Sequence, residues 1–313
     1  MHNPFNLKQY KVAAYITAYE DSEAVSLCVQ AIKSQSFPVK NILIVDNSKK
    51  KSIFKLELNA ENLVIKHYPE NIGVAGGFSL AIAWAIEEGY DFLWTFDQDS
   101  IVRQDCLGQL LLVYTRLNNS NYSIGIVAPT AIDLRTGRLI DGAVFDHDRF
   151  TPYKPPNYEQ PFECDSPITS GSLISLVAAQ TVSLPCTDLF IDGIDFDYGM
   201  QLKQKGFHNL IVPQAIMEHK FGTPIKVKWF KRELVFQQYT PLRHYYICRN
   251  HTYLETRYAQ GWYRMKTYLW RTKFLLKTII QISLYEAEDK HLKIWACLLG
   301  TCHGLRGKLG RNF

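Results

Sequence analysis

The chain has 313 residues and a formal net charge of +5, with 47% hydrophobic and 21% charged residues. This composition is typical of a globular protein and excludes an intrinsically disordered chain. No run of about 18 consecutive apolar residues occurs, so we expect no membrane-spanning helix.

Two further features predict a cytoplasmic protein. The first 19 residues lack the basic segment and apolar stretch of a signal peptide. The seven cysteines are scattered, and no two have C-x-x-C spacing. Such a set is typical of reduced thiols in the cytosol.

The charge is unevenly distributed along the chain. Residues 1–225 carry a net charge of −7, whereas residues 226–313 carry +12. A basic region joined to an acidic body favours partners such as nucleic acid, anionic lipid or phosphate-bearing substrates.

The first 100 residues predict strands that alternate with helices. The β-rich runs are 11–19, 41–48, 63–70 and 90–96, and helical spacing of apolar residues occurs in 23–35 and 71–89. This alternation predicts an α/β fold with a mostly parallel sheet flanked by helices.

The rest of the chain predicts a more varied pattern. A helix at 106–117, a strand at 123–133, a proline-rich loop at 151–167, an acidic segment that becomes helical at 189–206 and a strand at 207–222 are predicted in order. From residue 229 the chain reads as mostly helical, aromatic and basic. We therefore predict a catalytic domain at 1–225 and a helical, basic region at 226–313.

Polar residues follow four of the predicted strands. They are Tyr19–Glu20, Asp46–Ser48, Asn71–Gly73 and Asp97–Asp99. In open α/β sheets, ligands bind beyond the carboxyl ends of the strands, so these residues predict a binding edge. The alternative is that loops are polar simply because they face water.

Asp97 and Asp99 directly follow a strand of buried character, FLWTF. Carboxylate oxygens at a rigid strand end suit Mg²⁺, which commonly bridges a protein carboxylate and a diphosphate. A solvated turn is the alternative explanation for the pair.

Asp192, Asp195 and Asp197 form a second acidic cluster. A carboxylate held against a sugar hydroxyl can remove its proton, so the cluster is a candidate general base. Alternatively, the carboxylates interact favourably with the positive end of the following helix.

The motifs TAYE, VDNS, NIGVAGG, FDQDS, TSGS, LFIDGIDFDYGMQLKQKG and EHKFG occur in this order. Together they resemble glycosyltransferase family 2, which has the GT-A fold, and within it the bacterial rhamnosyltransferases. The resemblance covers roughly residues 10 to 225.

The resemblance implies roles for individual residues in donor and metal binding. The nucleotide-sugar contacts would come from Thr17, Tyr19, Asp46, Asn71, Gly73, Gly76 and Asp97. Asp99 and His219 would bind Mg²⁺ or Mn²⁺. For His219, a surface loop histidine is the alternative.

The resemblance also implies the catalytic and acceptor residues. Asp195 would be the general base, with Asp197 as second choice. The acceptor would lie near Ser170, Gly171 and Ser172 of TSGS and near Asp192.

The expected function is therefore a metal-dependent, inverting transfer of L-rhamnose from dTDP-rhamnose to a bacterial cell-surface polysaccharide precursor. We expect this precursor to be lipid-linked. UDP-galactose or UDP-galactofuranose is an alternative donor. A nucleic-acid-binding protein that uses the basic tail is a different class of alternative, but no nucleic-acid motif is present. A nucleotidyltransferase would need a glycine-rich loop with Arg and Lys, which TAYEDSE lacks.

The segment 264–280 predicts a basic amphipathic helix. Met265, Tyr268, Leu269, Leu276 and Ile279 fall along one face, and Arg264, Arg271, Lys273 and Lys277 lie elsewhere around the helix. Such a helix predicts peripheral binding to the inner face of the cytoplasmic membrane. Packing on the catalytic domain, or on a second subunit in a homodimer, is the alternative.

Overall fold

The structure, a computed structural model, describes residues 10–50, 62–220, 222–229, 232–286 and 288–313. The chain divides into two compact units. The first comprises residues 1–144, 152–187 and 195–220, and the second comprises 145–151, 188–194 and 221–313.

Fourteen strands occur in the described residues. They are β1 (Val12–Ala18), β2 (Asn41–Asp46), β3 (Leu63–His67), β4 (Phe92–Asp97), β5 (Ser100–Val102), β6 (Ile124–Asp133), β7 (Leu139–Ile140), β8 (Ala143–Asp146), β9 (Arg149–Pro152), β10 (Phe162–Glu163), β11 (Leu173–Ser175), β12 (His208–His219), β13 (Thr223–Trp229) and β14 (Arg232–Gln238).

Eight α-helices occur in the same residues. They are α1 (Ser22–Lys33), α2 (Gly73–Glu87), α3 (Cys106–Leu117), α4 (Leu176–Ala179), α5 (Ile194–Gln204), α6 (Pro241–Tyr258), α7 (Trp262–Tyr285) and α8 (Lys290–Leu305). None of these helices is both long enough and apolar enough to cross a bilayer.

The first unit is built on one large sheet. Its strands lie in the order β10-β12-β6-β11-β4-β1-β2-β3, with β5 added beside β12 and β7 beside β6. The neighbours β4, β1, β2 and β3 are parallel, and so are β6 and β12, whereas β11 is antiparallel to β4 and β6. The predicted α/β architecture with a mostly parallel sheet is confirmed.

Buried apolar side chains explain why these segments form the sheet. Strand β1, VAAYITA, and strand β2, NILIVD, are buried almost throughout, as central parallel strands are. Trp94 of β4 is fully buried, and its indole Nε1 donates to the Gly171 carbonyl over 2.8 Å. Helix α1 begins where Asp21 accepts a hydrogen bond from the Ala24 amide, a common N-cap arrangement.

In the second unit, α6 and α8 pack closely because of two glycines. A Cβ at Gly300 would overlap the Tyr245 carbonyl, and one at Gly304 would overlap the Arg249 carbonyl. Helix α6 begins at Pro241 with Thr240 as its cap, a favourable start because proline has no amide hydrogen to satisfy.

The expectation of a helical region from residue 226 needs one correction. Residues Thr223–Trp229 and Arg232–Gln238 form an antiparallel hairpin, β13–β14, before α6 begins. Val235 and Phe236 favour a strand, because β-branched and aromatic residues are enriched in strands. The second unit also includes residues 145–151 and 188–194, which precede residue 226 in the chain.

Candidate active site

The carboxyl ends of β1, β2 and β4 meet at one edge of the sheet. Thr17 of β1 pairs in register with Asp97 of β4, and Ala18 pairs with Asp46 of β2. Because the three strands are parallel and adjacent, their following loops all leave the sheet on this side. The polar strand ends found in the sequence therefore belong to a common edge.

Gln98 joins two of these loops and was not singled out from the sequence. Its Oε1 accepts from the Tyr19 amide over 2.6 Å, and its Nε2 donates to the Tyr19 carbonyl over 3.0 Å. A side-chain amide that binds both main-chain groups of one residue fixes that residue's backbone. The Tyr19 ring itself is exposed at the edge of the sheet.

The loop after β2 is held from within by Asp46, which is fully buried. Its Oδ1 accepts from the Ser48 amide over 3.0 Å. Its Oδ2 has no hydrogen-bond partner among the described residues, and His67 Nε2 lies 3.9 Å from it. A buried oxygen without a hydrogen bond costs folding free energy. Oδ2 of Asp46 can therefore still accept a hydrogen bond from a ligand.

Helix α2 begins at the same edge. The Asn71 side chain accepts from the Gly73 amide over 3.0 Å, and Asn47 Oδ1 accepts from the Ile72 amide over 3.0 Å. Asn71 and Gly73 both have positive φ angles, 54° and 74°, which glycine tolerates and asparagine adopts more readily than most residues. At Gly76 a Cβ would lie only 2.9 Å from the Ile72 side chain, so glycine is required there by packing.

Asp97, Asp99 and His219 come together through strand pairing. After Asp97 the chain reverses, and β5 pairs with the end of β12 so that Ser100 lies opposite His219. His219 Nδ1 lies 3.2 Å from Asp99 Oδ1, and His219 Nε2 lies 4.0 Å from Asp97 Oδ2. The imidazole is therefore placed between the two carboxylates.

The TSGS segment supports this group from inside the unit. Ser170 Oγ accepts from the Asp97 amide over 3.0 Å and lies 2.7 Å from Ser100 Oγ. Gly171 has a φ of 79°, and a Cβ there would meet Pro129 at 2.6 Å. Ser170 and Ser172 are buried, and the contacts of Ser170 hold the Asp97 backbone and the Ser100 side chain in place. Their predicted contribution to the acceptor site remains a prediction.

Asp195 and Asp197 lie in the first turn of α5. Asp195 is half-buried, and its Oδ1 accepts from the Phe196 amide over 3.0 Å. Asp197 is buried and its Oδ2 accepts from Gln201 Nε2 over 2.9 Å. The two carboxylates thus have different environments, and Asp195 is the more accessible.

Asp195 also lines a small cavity in the first unit. The cavity has a volume of about 10 Å³, and Thr169, Ser172 and Tyr198 are among its other lining residues. A space of this size holds about one water molecule. Thr169 and Ser172 of the TSGS segment therefore share this cavity with the candidate base, and the rest of its lining is mainly apolar.

Asp192 belongs to the second unit. Both carboxylate oxygens accept from Arg243, from Nε and from Nη2, each over 3.2 Å. Burial raises the pKa of Asp192 above its usual range, although Arg243 acts in the opposite direction. Its predicted role near the acceptor remains a prediction.

Comparison with known proteins identifies the family. The family model described as "Glycosyl transferase family 2" matches residues 14–170, which is just over half of the chain. The chain belongs to this family. The match includes the strand ends with Thr17, Asp46 and Asp97 and extends to Ser170.

As a glycosyltransferase of family 2, the protein also resembles a named enzyme. It is 22% identical over 254 residues to the dTDP-rhamnosyl transferase RfbF of Shigella flexneri, and the alignment covers 76% of this chain and 77% of that protein. The sequence prediction of a family 2, rhamnosyltransferase-like protein is confirmed at this level.

Solved glycosyltransferases share the GT-A fold of this family 2 protein. The structure of GalNAc-T7 with UDP, GalNAc and Mn²⁺ matches with a TM-score of 0.62 and 12% identity over 95% of this chain, although the match spans only 56% of that chain. The structure of S. aureus TarS 1-349 matches with a TM-score of 0.53 and 14% identity, covering 94% of this chain and 80% of that one.

The side chains around His219 are of types that bind divalent metal ions. Carboxylate oxygens suit Mg²⁺ and Mn²⁺, and imidazole is the commonest metal-binding side chain. The carboxylates of Asp97 and Asp99 are partly exposed, so a cation can reach them. Among the described residues, however, no three His, Cys, Asp or Glu side chains are arranged as a ready metal cluster. The donor types fit a divalent cation, and its coordination would require these side chains to adjust.

Proposed function

We propose that this family 2 glycosyltransferase transfers L-rhamnose from dTDP-rhamnose to a bacterial cell-surface polysaccharide precursor, with a divalent metal ion and with inversion at the anomeric carbon. The proposal is supported by the likeness to a dTDP-rhamnosyl transferase. The structural observation that carries it is the grouping of Asp97, Asp99 and His219 beside the strand ends of the sheet.

The donor would bind at the carboxyl edge of β1, β2 and β4. Asp46 would accept a hydrogen bond from the base through its unpartnered Oδ2, and Thr17 and Tyr19 would adjoin the nucleoside. The beginning of α2, with Asn71, Gly73 and Gly76, would approach the nucleotide through its backbone, since glycine permits close backbone contact.

Asp99 and His219 would bind Mg²⁺ or Mn²⁺, with Asp97 beside the ribose or the waters of the metal. When bound, such a cation supplies positive charge against the leaving diphosphate. Ser100 holds the His219 ring through Nδ1, over 2.9 Å, so the ring cannot turn freely.

Asp195 would act as the general base. Its carboxylate takes the proton of the acceptor hydroxyl as the new C–O bond forms at the anomeric carbon. In the same displacement the bond from that carbon to the diphosphate oxygen breaks, and dTDP leaves with the electron pair. Attack from the opposite face inverts the configuration. Asp195 is preferred over Asp197 because Asp197 is buried and engaged by Gln201.

The acceptor would be a lipid-linked glycan intermediate of O-antigen, capsule or cell-wall synthesis, met at the inner face of the cytoplasmic membrane. Ser170, Gly171 and Ser172 would shape or support the acceptor site. The cavity shared by Ser172 and Asp195 supports a link between TSGS and the base. A homodimer remains compatible with this function.

A UDP-sugar donor is the second candidate, with UDP-galactose or UDP-galactofuranose as examples. It is favoured by the solved relatives, since GalNAc-T7 was solved with UDP and TarS with UDP-GlcNAc. The same strand-end geometry would serve either nucleotide.

A donor panel separates these candidates. The purified protein is incubated with dTDP-rhamnose, UDP-galactose, UDP-galactofuranose or UDP-GlcNAc, with Mn²⁺ or Mg²⁺ and a polyprenyl-diphosphate-linked sugar as acceptor. Release of nucleoside diphosphate is measured, and NMR of the product gives the anomeric configuration. Turnover with dTDP-rhamnose and an inverted product supports the proposal. Turnover only with a UDP-sugar assigns a different donor, and a retained configuration contradicts the role of Asp195.

A further inference from the structure

Helix α7 of the second unit packs through an inner side that is partly polar. The residues that it buries are Thr267, Arg271 and Ile282. Thr267 Oγ1 donates to the Asp148 carbonyl over 2.7 Å, and Arg271 Nε donates to Thr252 Oγ1 over 3.0 Å. Phe274 and Leu275 also pack on this side, against the buried cluster of Cys248, Ile282 and Cys297. The inner side of α7 is therefore mixed, with polar and apolar contacts.

The outward side of α7 is apolar. Six large side chains on it are 52–71% exposed: Trp262, Met265, Leu269, Leu276, Ile280 and Leu284. At about 100° per residue they fall within an arc of about 100° and extend over roughly 33 Å of helix. We name this set the α7 outer stripe. Single exposed apolar residues are ordinary, but six on one side of a single helix mark an interaction surface.

The apolar face predicted from the sequence agrees in part with the α7 outer stripe. Met265, Leu269 and Leu276 are exposed as expected for a surface stripe, whereas Ile279 is half-buried. Arg271 was expected to be one of the surface charges, but it is buried and paired with Glu255 at 3.4 Å. The side of α7 that packs carries Arg271 together with Phe274 and Leu275, whereas most of the predicted apolar stripe is exposed.

The charge around the stripe is positive. Lys266, Lys273 and Lys277 are exposed and fall within or beside the same arc of the helix. Helix α7 contains no acidic residue, and residues 226–313 carry a net charge of +12. A surface that combines exposed apolar side chains with lysines is complementary to an anionic lipid headgroup layer over an acyl region.

The same charge disfavours the other occupants. In a symmetric dimer through the stripe, lysines of both copies would lie near one another without acidic partners on α7. A nucleic acid could contact the lysines through its phosphates, but it would leave the six apolar side chains uncovered.

We propose that the α7 outer stripe binds anionic lipid with the helix axis parallel to the membrane surface. The apolar side chains would enter the boundary between headgroups and acyl chains, and the lysines would contact lipid phosphates. The biological role of this binding rests on the proposed function, since it would bring the enzyme to a lipid-linked acceptor. Lipid binding itself requires neither donor nor turnover.

Vesicle binding of the full chain tests the proposal. Co-sedimentation is measured with phosphatidylcholine vesicles, with and without about 30 mol% phosphatidylglycerol, at about 0.05 M and about 0.5 M salt. We expect binding to the anionic vesicles, with a large decrease at high salt because the charges are screened. No binding to anionic vesicles at low salt would overturn the proposal.

Three variants define the surface. Leu269→Glu with Ile280→Glu removes apolar contact, and the triple change Lys266→Gln, Lys273→Gln and Lys277→Gln removes charge. Val177→Glu is the matched control, because Val177 is equally exposed but lies in the first unit. We expect the triple variant to bind about 10²-fold more weakly, the double variant at least about tenfold more weakly, and the control as wild type.

Two further measurements separate the possible failures. Thermal unfolding checks that the variants fold, and calorimetry with the nucleotide-sugar donor checks that the donor site is intact. If wild-type binding persists in both stripe variants, the stripe is not the lipid site. If light scattering shows a wild-type dimer that becomes a monomer in the double variant, the stripe is a subunit interface instead. Lipid binding without any sugar transfer would leave this inference standing and contradict only the proposed function.

Discussion

Ser100 and His219 lie directly opposite each other in the antiparallel pairing of β5 with β12, and Ser100 Oγ is 2.9 Å from His219 Nδ1. Ser100 is fully buried and also contacts Ser170 Oγ at 2.7 Å. The hydroxyl therefore fixes the orientation of a ring whose other nitrogen faces Asp97.

Ser100→Ala should weaken metal binding while leaving the fold intact. Partners that orient a metal-binding histidine typically contribute about 10- to 100-fold in metal affinity. Mn²⁺ affinity, measured by calorimetry in the presence of dTDP, should fall by this order. Ser34→Ala is the control, since Ser34 is exposed and bonds only its own helix. Equal Mn²⁺ affinity in both variants would show that Ser100 does not orient a metal ligand.

Removal of the metal should abolish transfer. With excess EDTA we expect turnover to fall to background and to return when Mn²⁺ or Mg²⁺ is added. Asp99→Ala should have the same loss of turnover without recovery, because the carboxylate that would bind the cation is gone. Circular dichroism should show an unchanged fold. Full turnover in EDTA would contradict the metal requirement.

Asp195→Asn should lower kcat by about 10²–10⁴-fold, the usual contribution of a positioned general base. The substitution keeps the size of the side chain, so donor affinity by calorimetry should not change. Asp197→Asn should affect kcat less and stability more, because Asp197 is buried and accepts from Gln201. If Asp197→Asn is the variant that loses turnover with normal folding, the base is Asp197.

Asn250→Ala should destabilise the second unit by about 3 kcal/mol or more. Asn250 is fully buried, and its Nδ2 donates to the carbonyls of Leu189, Ile191 and Asp192 over 2.8–2.9 Å. Without the amide, the carbonyls of Ile191 and Asp192 lose this donor, at roughly 1–3 kcal/mol each, whereas the Leu189 carbonyl keeps Arg249 Nη2. The free energy of unfolding is measured in urea, with the exposed Asn121→Ala as control. A loss below about 1 kcal/mol would mean that the carbonyls find other partners.

Acid should destabilise the chain partly through His251. Burial lowers the pKa of His251 to about 3, and the positive charge of Arg271 acts in the same direction. The unfolded value is about 6.5, so between these two values the unfolded chain binds more protons and stability falls as the pH falls. From pH 6.5 to 4.5 the loss due to this group is at most about 3 kcal/mol.

His251→Gln should therefore make the decline of the unfolding free energy with acid shallower over that range. Urea unfolding at several pH values measures the slope. The exposed His147→Gln should leave the slope unchanged. An unchanged slope in His251→Gln would show that the imidazole is protonated in the folded protein.

The sheet and its edge of polar strand ends were predictable because their signals are local. The runs around Val12–Ala18, Asn41–Asp46 and Phe92–Asp97 are apolar and end in polar residues, and parallel strands necessarily bring such ends together. The family resemblance added His219, which no local pattern marks. Its position beside Asp99 depends on the reversal of the chain after β4.

Other features depend on contacts between distant segments and could not be predicted. The bidentate bond of Gln98 to Tyr19 joins residues 79 positions apart. Asp192 and Asp195 are three residues apart and look alike in sequence, but Asp192 pairs with Arg243 of the second unit. The burial of Ser170 and Ser172 follows from the insertion of β11 between β4 and β6, which their composition does not indicate.

The pairing of β5 with β12 also constrains biosynthesis. Ser100 and His219 are separated by 119 positions, and the strand that carries His219 is the last to join the large sheet in chain order. A nascent chain that ends before residue 208 can complete β1, β2 and β4 but lacks the strand that supplies the histidine. The strand edge with Thr17, Asp46 and Asp97 can therefore form before His219 is synthesised, and a chain terminated before residue 208 lacks one of the proposed metal ligands.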